Sequence, residues 1–158
     1  MSRLSSLAIP AAILGLAGMA VADSHVSDEV AGAVNIRQSH MSLYGFNLGP
    51  LAGMARGRMD YDAEVAGAAA ANLAALAAMD QGGYWVEGSS NDDLEESEAL
   101  AAIWDDPTGF EERMMALQLA SADLAAVAGN GLTELQAGMG PVGQSCGGCH
   151  EDYRISDN

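Results

Sequence analysis

The chain has 158 residues, a length that suits one domain with one hydrophobic core. Its 22 Asp and Glu residues outnumber its 6 Lys and Arg residues, and the formal net charge is −16. Such a surface repels nucleic acids and anionic membranes, so the composition argues against both as partners and predicts attraction of basic proteins. The sequence leaves open whether this acidity serves a partner or the salt tolerance of a whole proteome.

The first 22 residues have the pattern of a secretory signal peptide. Arg3 precedes an apolar run over 8–22, which ends in the small-residue pattern of a cleavage site at Ala22. This run is shorter than the roughly 20 residues that a transmembrane helix needs, and Gly and Pro interrupt it. We therefore predict export to the periplasm, cleavage after Ala22, and a single domain over 23–158 without membrane attachment.

The mature sequence has helical rather than strand periodicity. It shows almost no alternation of period 2, and it is rich in Ala, Leu, Met and Glu, which predicts an all-α protein. Four helical segments joined mostly by short connections predict an antiparallel four-helix bundle. These segments cover about 27–57, 62–80, 107–128 and 132–153.

The first segment repeats apolar residues at intervals of seven. Val34, Met41, Leu48 and Ala55 therefore lie on one stripe, which we predict to face inward. His40 lies about 100° from Met41 around the helix, so we predict it at the surface.

The second segment is rich in alanine, which allows another helix to approach closely. We predict that five residues belong to its buried side: Val65, Ala69, Leu73, Leu76 and Met79. The stretch 81–106 has the least regular pattern, and we expect an exposed loop followed by one or two helical turns near 97–104.

The last two segments carry clearer signals. Asp106 is a suitable N-cap, and Pro107 occupies the favoured first position of the third helix. The fourth segment carries seven side chains at alternating spacings of three and four, as on a bundle helix: Leu132, Leu135, Met139, Val142, Cys146, Cys149 and Tyr153. Both cysteines of the chain therefore lie on the buried side of the helix.

The motif Cys146-Gly147-Gly148-Cys149-His150 fits covalent haem attachment, since two thiols can reach the vinyl groups and an imidazole can reach the iron. A zinc site needs four ligands, and only His25 and His40 are available to complete one. A thiol redox pair normally opens a helix in a βαβ setting, which this chain lacks. A simple disulfide would leave His150 without a role.

The segment from Gln144 to Arg154, at the C-terminal end of the chain, resembles the terminal signature of the cytochrome c′ family, the class II c-type cytochromes. Arg37-Gln38 followed by Met41 is similar to the first-helix motif of that family. The resemblance covers nearly the whole mature chain. It implies a left-handed four-helix bundle that holds one covalently attached haem c inside one end.

The same resemblance implies roles for individual residues. Cys146 and Cys149 would form the thioethers, and His150 would be the proximal iron ligand. Arg154 would lie close to the haem and its ligand, and Arg37 and Gln38 near the propionates. As alternatives, Arg154 would only complement the helix dipole, and Arg37 would belong to a solvated face.

Met41 corresponds to the residue that lies over the distal face of the haem in the family. A residue at this position has one of two roles. If Met41 ligates the iron, the sixth coordination position is closed and the chain is a one-electron carrier. Gly45, one turn later, favours this hypothesis. If Met41 only packs over an open, five-coordinate iron, the chain binds nitric oxide or carbon monoxide.

A third hypothesis is a helical module without haem, whose Cys146 and Cys149 form a disulfide. No catalytic constellation is recognisable, so we do not interpret the chain as an enzyme. Redox proteins with basic docking surfaces are the expected partners, and the resemblance implies a tendency to form homodimers through the first two helices.

Overall fold

Four long helices form the bundle in the computed structural model, which describes residues 27–156. They are α1 (Asp28–Ala55), α2 (Ala63–Ala77), α4 (Pro107–Val127) and α5 (Leu132–Tyr153). A single 3₁₀ turn (Gly82–Tyr84) and the short α3 (Ala102–Asp105) lie between α2 and α4. The predicted all-α class is confirmed; the predicted signal peptide lies outside the described residues.

Side-chain caps begin three of the long helices. Ser27 accepts a hydrogen bond from the backbone of Val30, and Asp62 caps α2 in the same way. Asp106 caps α4 by accepting from the Gly109 N–H, and Pro107 is the first residue of that helix. The predicted start of α4 is thereby confirmed. None of the described helices is both long and apolar enough to cross a membrane.

The buried side of α2 differs in part from the prediction, which is confirmed for Ala69 and Leu73. Val65 and Met79 are exposed, and the predicted inward orientation of both is wrong. The side that packs in the core consists of four alanines and one leucine: Ala66, Ala69, Ala70, Leu73 and Ala77. Alanine side chains cost little entropy on burial and let neighbouring helices approach closely, so this side packs without large residues.

His40 is also placed differently from the prediction, because it is buried rather than exposed. Its Nε2 lies 3.2 Å from the carbonyl oxygen of Leu76 on α2, and its ring packs edge-on against Tyr44. Burial lowers the pKa of the imidazole, and the hydrogen bond to Leu76 opposes that shift. His40 therefore joins α1 to α2 as a neutral, hydrogen-bonded core residue.

The helices α4 and α5 approach each other closely at Gly138. A Cβ at this position would lie 2.7 Å from Cδ1 of Leu124, which is fully buried. No atom lies within 4 Å of a Cβ built at Gly143, on the same helix. Gly138 is therefore required by packing, whereas Gly143 is not.

These two glycines provide a matched test of the packing. Gly143→Ala should stabilise the protein by about 1 kcal/mol, because alanine has the higher helix propensity. Gly138→Ala should instead destabilise it by about 1 kcal/mol, since overpacking outweighs that gain. Chemical denaturation of both variants measures the difference, and equal stabilisation would show that Leu124 moves aside freely.

A short strap, residues 98–100, connects the irregular segment to the end of α5. Ala99 forms a single antiparallel bridge with Arg154. The Leu100 N–H donates to the carbonyl oxygen of Tyr153 at 3.0 Å, and the Ile155 N–H donates to that of Glu98 at 2.9 Å. The strap thus closes one end of the bundle beside the last turn of α5.

Candidate functional site

A cavity of about 550 Å³ lies at the strap end of the bundle, between α1, α4, α5 and the irregular segment. A volume of this order suits an organic cofactor or ligand. The cavity brings together every site residue predicted from the sequence, and these residues are Arg37, Gln38, Met41, Cys146, Cys149, His150 and Arg154.

The α5 wall carries the two thiols and the imidazole. Cys146, Cys149 and His150 occupy positions i, i+3 and i+4, which share one side of a helix. The two cysteines are not bonded to each other. Burial raises the pKa of the Cys149 thiol to about 11, although the guanidinium of Arg113 acts in the opposite direction. Both thiols are thus neutral near pH 7, unlike those of a reactive redox pair.

The α1 wall carries Met41, one of two thioethers in the cavity. Met41 is 36% exposed and lines the cavity together with Gly45, where no atom lies within 4 Å of a built Cβ. The other thioether belongs to Met114 on α4, which packs in one cluster with Cys149. Met114 and Cys149 therefore pack against the same cluster from α4 and α5, whereas Met41 lines the cavity from α1.

Arg37 is buried, with 4% of its surface exposed, so the interpretation as a solvated residue is wrong. Its guanidinium donates to the Ser89 hydroxyl at 2.8 Å, to the Ser97 hydroxyl at 2.7 Å, and to the carbonyl oxygens of Ser89 and Tyr84. It also lies over the ring of Trp85. All of these partners are neutral, and burial lowers the pKa of Arg37.

Two further contacts hold the irregular segment at the rim of the cavity. The Gln38 amide donates to the carbonyl oxygen of Glu96 at 2.7 Å. The Arg154 guanidinium pairs at 3.2 Å with the carboxylate of Glu98, the first residue of the strap. Gln38 and Arg154 therefore line the cavity and anchor the segment between α2 and α4 at the same time.

Several lining residues were not predicted as part of the site. Arg113 pairs with Asp152 at 2.6 Å, and its Nη1 lies 3.1 Å from where a Cβ of Gly148 would stand. In the sequence, only the two glycines within the CxxCH motif indicate that a side chain from another helix comes this close to α5. The rings of Trp85, Phe110 and Tyr153 form successive edge-on pairs along the cavity.

The donor set fits a covalently attached haem. Two thiols and an adjacent imidazole share the α5 wall. A porphyrin also needs space and an apolar lining. Gly45 leaves space in the cavity, and Leu48 and Leu117 make the lining apolar. The sequence profile of the Cytochrome C′ family matches residues 32–154.

The chain belongs to the cytochrome c′ family.

Individual relatives agree with this assignment. Cytochrome c-554 of Cereibacter sphaeroides is 44% identical over 121 residues, which cover 77% of this chain and 79% of the relative. The cytochrome c′ of the same species is 41% identical over 149 residues, which cover 94% and 95% of the two chains.

Solved structures of the family share the fold. The cytochrome c′ from Rhodobacter spheriodes has a TM-score of 0.79 and 41% identity, covering 81% of this chain and 98% of its own. A nitric oxide complex of a cytochrome c′ variant from Alcaligenes xylosoxidans has a TM-score of 0.72 and 29% identity, with 83% and 99% covered. The predicted four-helix bundle is thus confirmed.

As a cytochrome c′ family member, the chain is a haem-binding c-type cytochrome that carries one covalently attached haem c. The hypothesis of a helical module without haem, with a disulfide between Cys146 and Cys149, is therefore wrong.

Proposed function

We propose that this cytochrome is an exported one-electron carrier, with His150 as the proximal and Met41 as the distal axial ligand. The bound haem supplies the one-electron chemistry, and its potential depends on the axial ligands. The observation that carries the proposal is the position of Met41, a thioether on α1 that lines the same cavity as Cys146, Cys149 and His150 on α5.

Met41 is preferred to Met114 for a geometric reason. A second axial ligand has to approach from the side opposite the proximal one. Met114 packs against the same hydrophobic cluster as Cys149, whereas Met41 lines the cavity from α1. Gly45, one turn after Met41, leaves that part of the α1 wall free of side-chain atoms.

The basic and polar residues of the cavity have supporting roles in this proposal. Arg37 is a buried cation whose hydrogen-bond partners are all neutral, so a propionate nearby would compensate its charge. Gln38 would add an amide on the same side. Arg154, which is paired with Glu98, would lie near the proximal ligand and keep the last turn of α5 in place.

The alternative is a five-coordinate cytochrome that binds nitric oxide or carbon monoxide at an open distal face. Two observations favour it. One is the nitric oxide complex of the related cytochrome c′ variant. The other is the partial exposure of Met41, which a packing residue over an open face would also show.

The absorption spectrum of the purified holoprotein separates the two functions. Ligation by Met41 predicts sharp low-spin bands in both oxidation states and no ready binding of carbon monoxide. A broad high-spin band in the reduced protein, together with rapid carbon monoxide binding, would assign the alternative instead.

We place this cytochrome in the periplasm, because the N-terminal sequence has the pattern of a cleavable signal peptide ending at Ala22. Intact mass spectrometry of the protein purified from the periplasmic fraction tests this. The expected mass is that of 23–158 plus one haem.

We also propose a homodimer that forms through the outer side of α1. Ile36, Leu43 and Phe46 are exposed there, with Phe46 at 78%, on the side away from the cavity. Between Val30 and Ala55, the only charged residue of α1 is the buried Arg37. Two strongly acidic copies can thus meet on this side without opposing like charges.

Phe46→Asp should raise the dimer dissociation constant at least about tenfold, because it buries a carboxylate in an apolar contact. Sedimentation velocity over a range of concentrations measures the change. Leu119→Asp, at an apolar position on α4 that is also well exposed, is the matched control and should leave the dimer intact.

A further inference from the structure

The outer side of α4 carries a second exposed apolar surface. Met115 and Leu119 have 61% and 62% of their surface exposed, and Ala122 and Ala126 are exposed as well. Their spacings of four, three and four place all of them on one side of the helix. We name these four residues the α4 stripe. Leucine and methionine exposed to this degree in one row are typical of an interaction surface.

Carboxylates border the α4 stripe on both sides. Glu111, Glu112 and Asp123 are exposed on the same helix. The only basic residue of α4, Arg113, lines the cavity instead and is paired with Asp152. An apolar centre with a polar rim is the usual composition of a protein interface, and the charged residues of this rim are all acidic.

The acidic field extends along the segment that precedes α4 and into the first turns of that helix. The segment 87–112 contains no Lys or Arg, and its acidic residues are Glu87, Asp92, Asp93, Glu95, Glu96, Glu98, Asp105, Asp106, Glu111 and Glu112. Charge of one sign over such an area steers an oppositely charged protein towards it and accelerates encounter.

From these observations we propose that the α4 stripe and its acidic rim form the docking surface for a redox protein whose own surface is apolar at the centre and basic around it. The inference rests on the proposed role as an electron carrier. A second copy of this chain is not the expected occupant, because its identical acidic rim would be repelled. The uncharged outer side of α1 offers a second copy a better contact.

The position of the stripe suits electron exchange. The inner side of α4 contributes Phe110, Met114 and Leu117 to the cavity wall. A partner on the outer side would therefore be separated from the cavity by a single helix, which is about 10–12 Å wide with its side chains. Small interfaces of this kind are typical of transient redox complexes.

The experiment measures equilibrium binding of mitochondrial cytochrome c, used as a basic redox probe, to the holoprotein by NMR titration. Low ionic strength is needed, since the Debye length is about 30 Å at 0.01 M. Leu119→Ser tests the apolar centre, and the double variant Glu111→Gln/Glu112→Gln tests the rim. The matched controls are Val65→Ser and the double variant Glu64→Gln/Glu134→Gln, which change exposed residues outside α4.

We expect Leu119→Ser to weaken binding at least about threefold, and the rim variant to weaken it and reduce its salt dependence, while both controls bind nearly as the wild type does. Absence of wild-type binding overturns the proposal. So does equal weakening by the controls, or a Leu119→Ser variant that binds normally. Dissociation of the homodimer by Leu119→Ser, seen in sedimentation, would assign the stripe to a second copy and likewise overturn it.

These results are independent of the axial-ligand test. If the spectrum shows an open iron, the electron-carrier role fails, even where the probe binds the stripe. If the spectrum is low-spin and the probe does not bind, only the docking surface fails.

Discussion

Replacing Met41 by leucine is expected to convert a low-spin cytochrome into a high-spin one that binds carbon monoxide. Leucine has nearly the volume of methionine but lacks the thioether, so the cavity stays filled while the proposed sixth ligand is lost. Carbon monoxide then binds without displacing a ligand, and its affinity should rise by at least about tenfold, the equivalent of about 1.4 kcal/mol of competing ligation.

Met114→Leu is the matched control, because it removes the other thioether that lines the cavity. This variant should keep the low-spin spectrum and the slow reaction with carbon monoxide. If Met114→Leu becomes high-spin and Met41→Leu does not, the distal ligand comes from α4. If neither changes the spectrum of a low-spin wild type, both assignments are wrong.

Replacing Arg37 by leucine is expected to lower the free energy of unfolding by about 3 kcal/mol, because buried hydrogen bonds to a charged group are lost together. The guanidinium joins α1 to Ser89 and Ser97, which lie 52 and 60 residues later. Without it, the buried carbonyl oxygen of Ser89 loses a donor, and the irregular segment loses one of its attachments to α1.

Chemical denaturation of the holoprotein measures this loss. Arg58→Leu is the control, since it removes an exposed guanidinium and should change the stability by less than about 0.5 kcal/mol. Amide hydrogen exchange should quicken over 84–100 in Arg37→Leu well before the long helices are affected. A variant as stable as the wild type would mean that the serine hydroxyls and Trp85 hold the segment without Arg37.

The sequence predicts those parts of the fold that depend on local signals. Asp106 and Pro107 mark the start of α4, because capping and proline geometry act within one turn. The prediction for α2 was wrong at Val65 and Met79 for a physical reason. In a helix made mostly of alanine, the inward and outward sides differ little in hydrophobicity, and the neighbouring helices decide which side is buried.

The site shows the same division between local and distant contacts. Cys146, Cys149 and His150 are recognisable because their chemistry requires that spacing. The partners of Arg37 are serines in an irregular segment, where no periodicity relates them to α1. His40 looks like a surface residue until Leu76 of another helix supplies its hydrogen-bond partner. Contacts of this kind depend on how the chain folds back, which a one-dimensional pattern does not record.

The strap at residues 98–100 has a consequence for biosynthesis. Because its partners, Tyr153, Arg154 and Ile155, lie at and just after the end of α5, the strap cannot close the cavity before α5 has been synthesised. The wall that the strap forms depends on the two backbone hydrogen bonds of the Ala99–Arg154 bridge and on one exposed ion pair, whereas the other walls are packed helices. Opening at the strap is therefore the least costly way to admit a planar cofactor to Cys146 and Cys149 in an otherwise folded bundle.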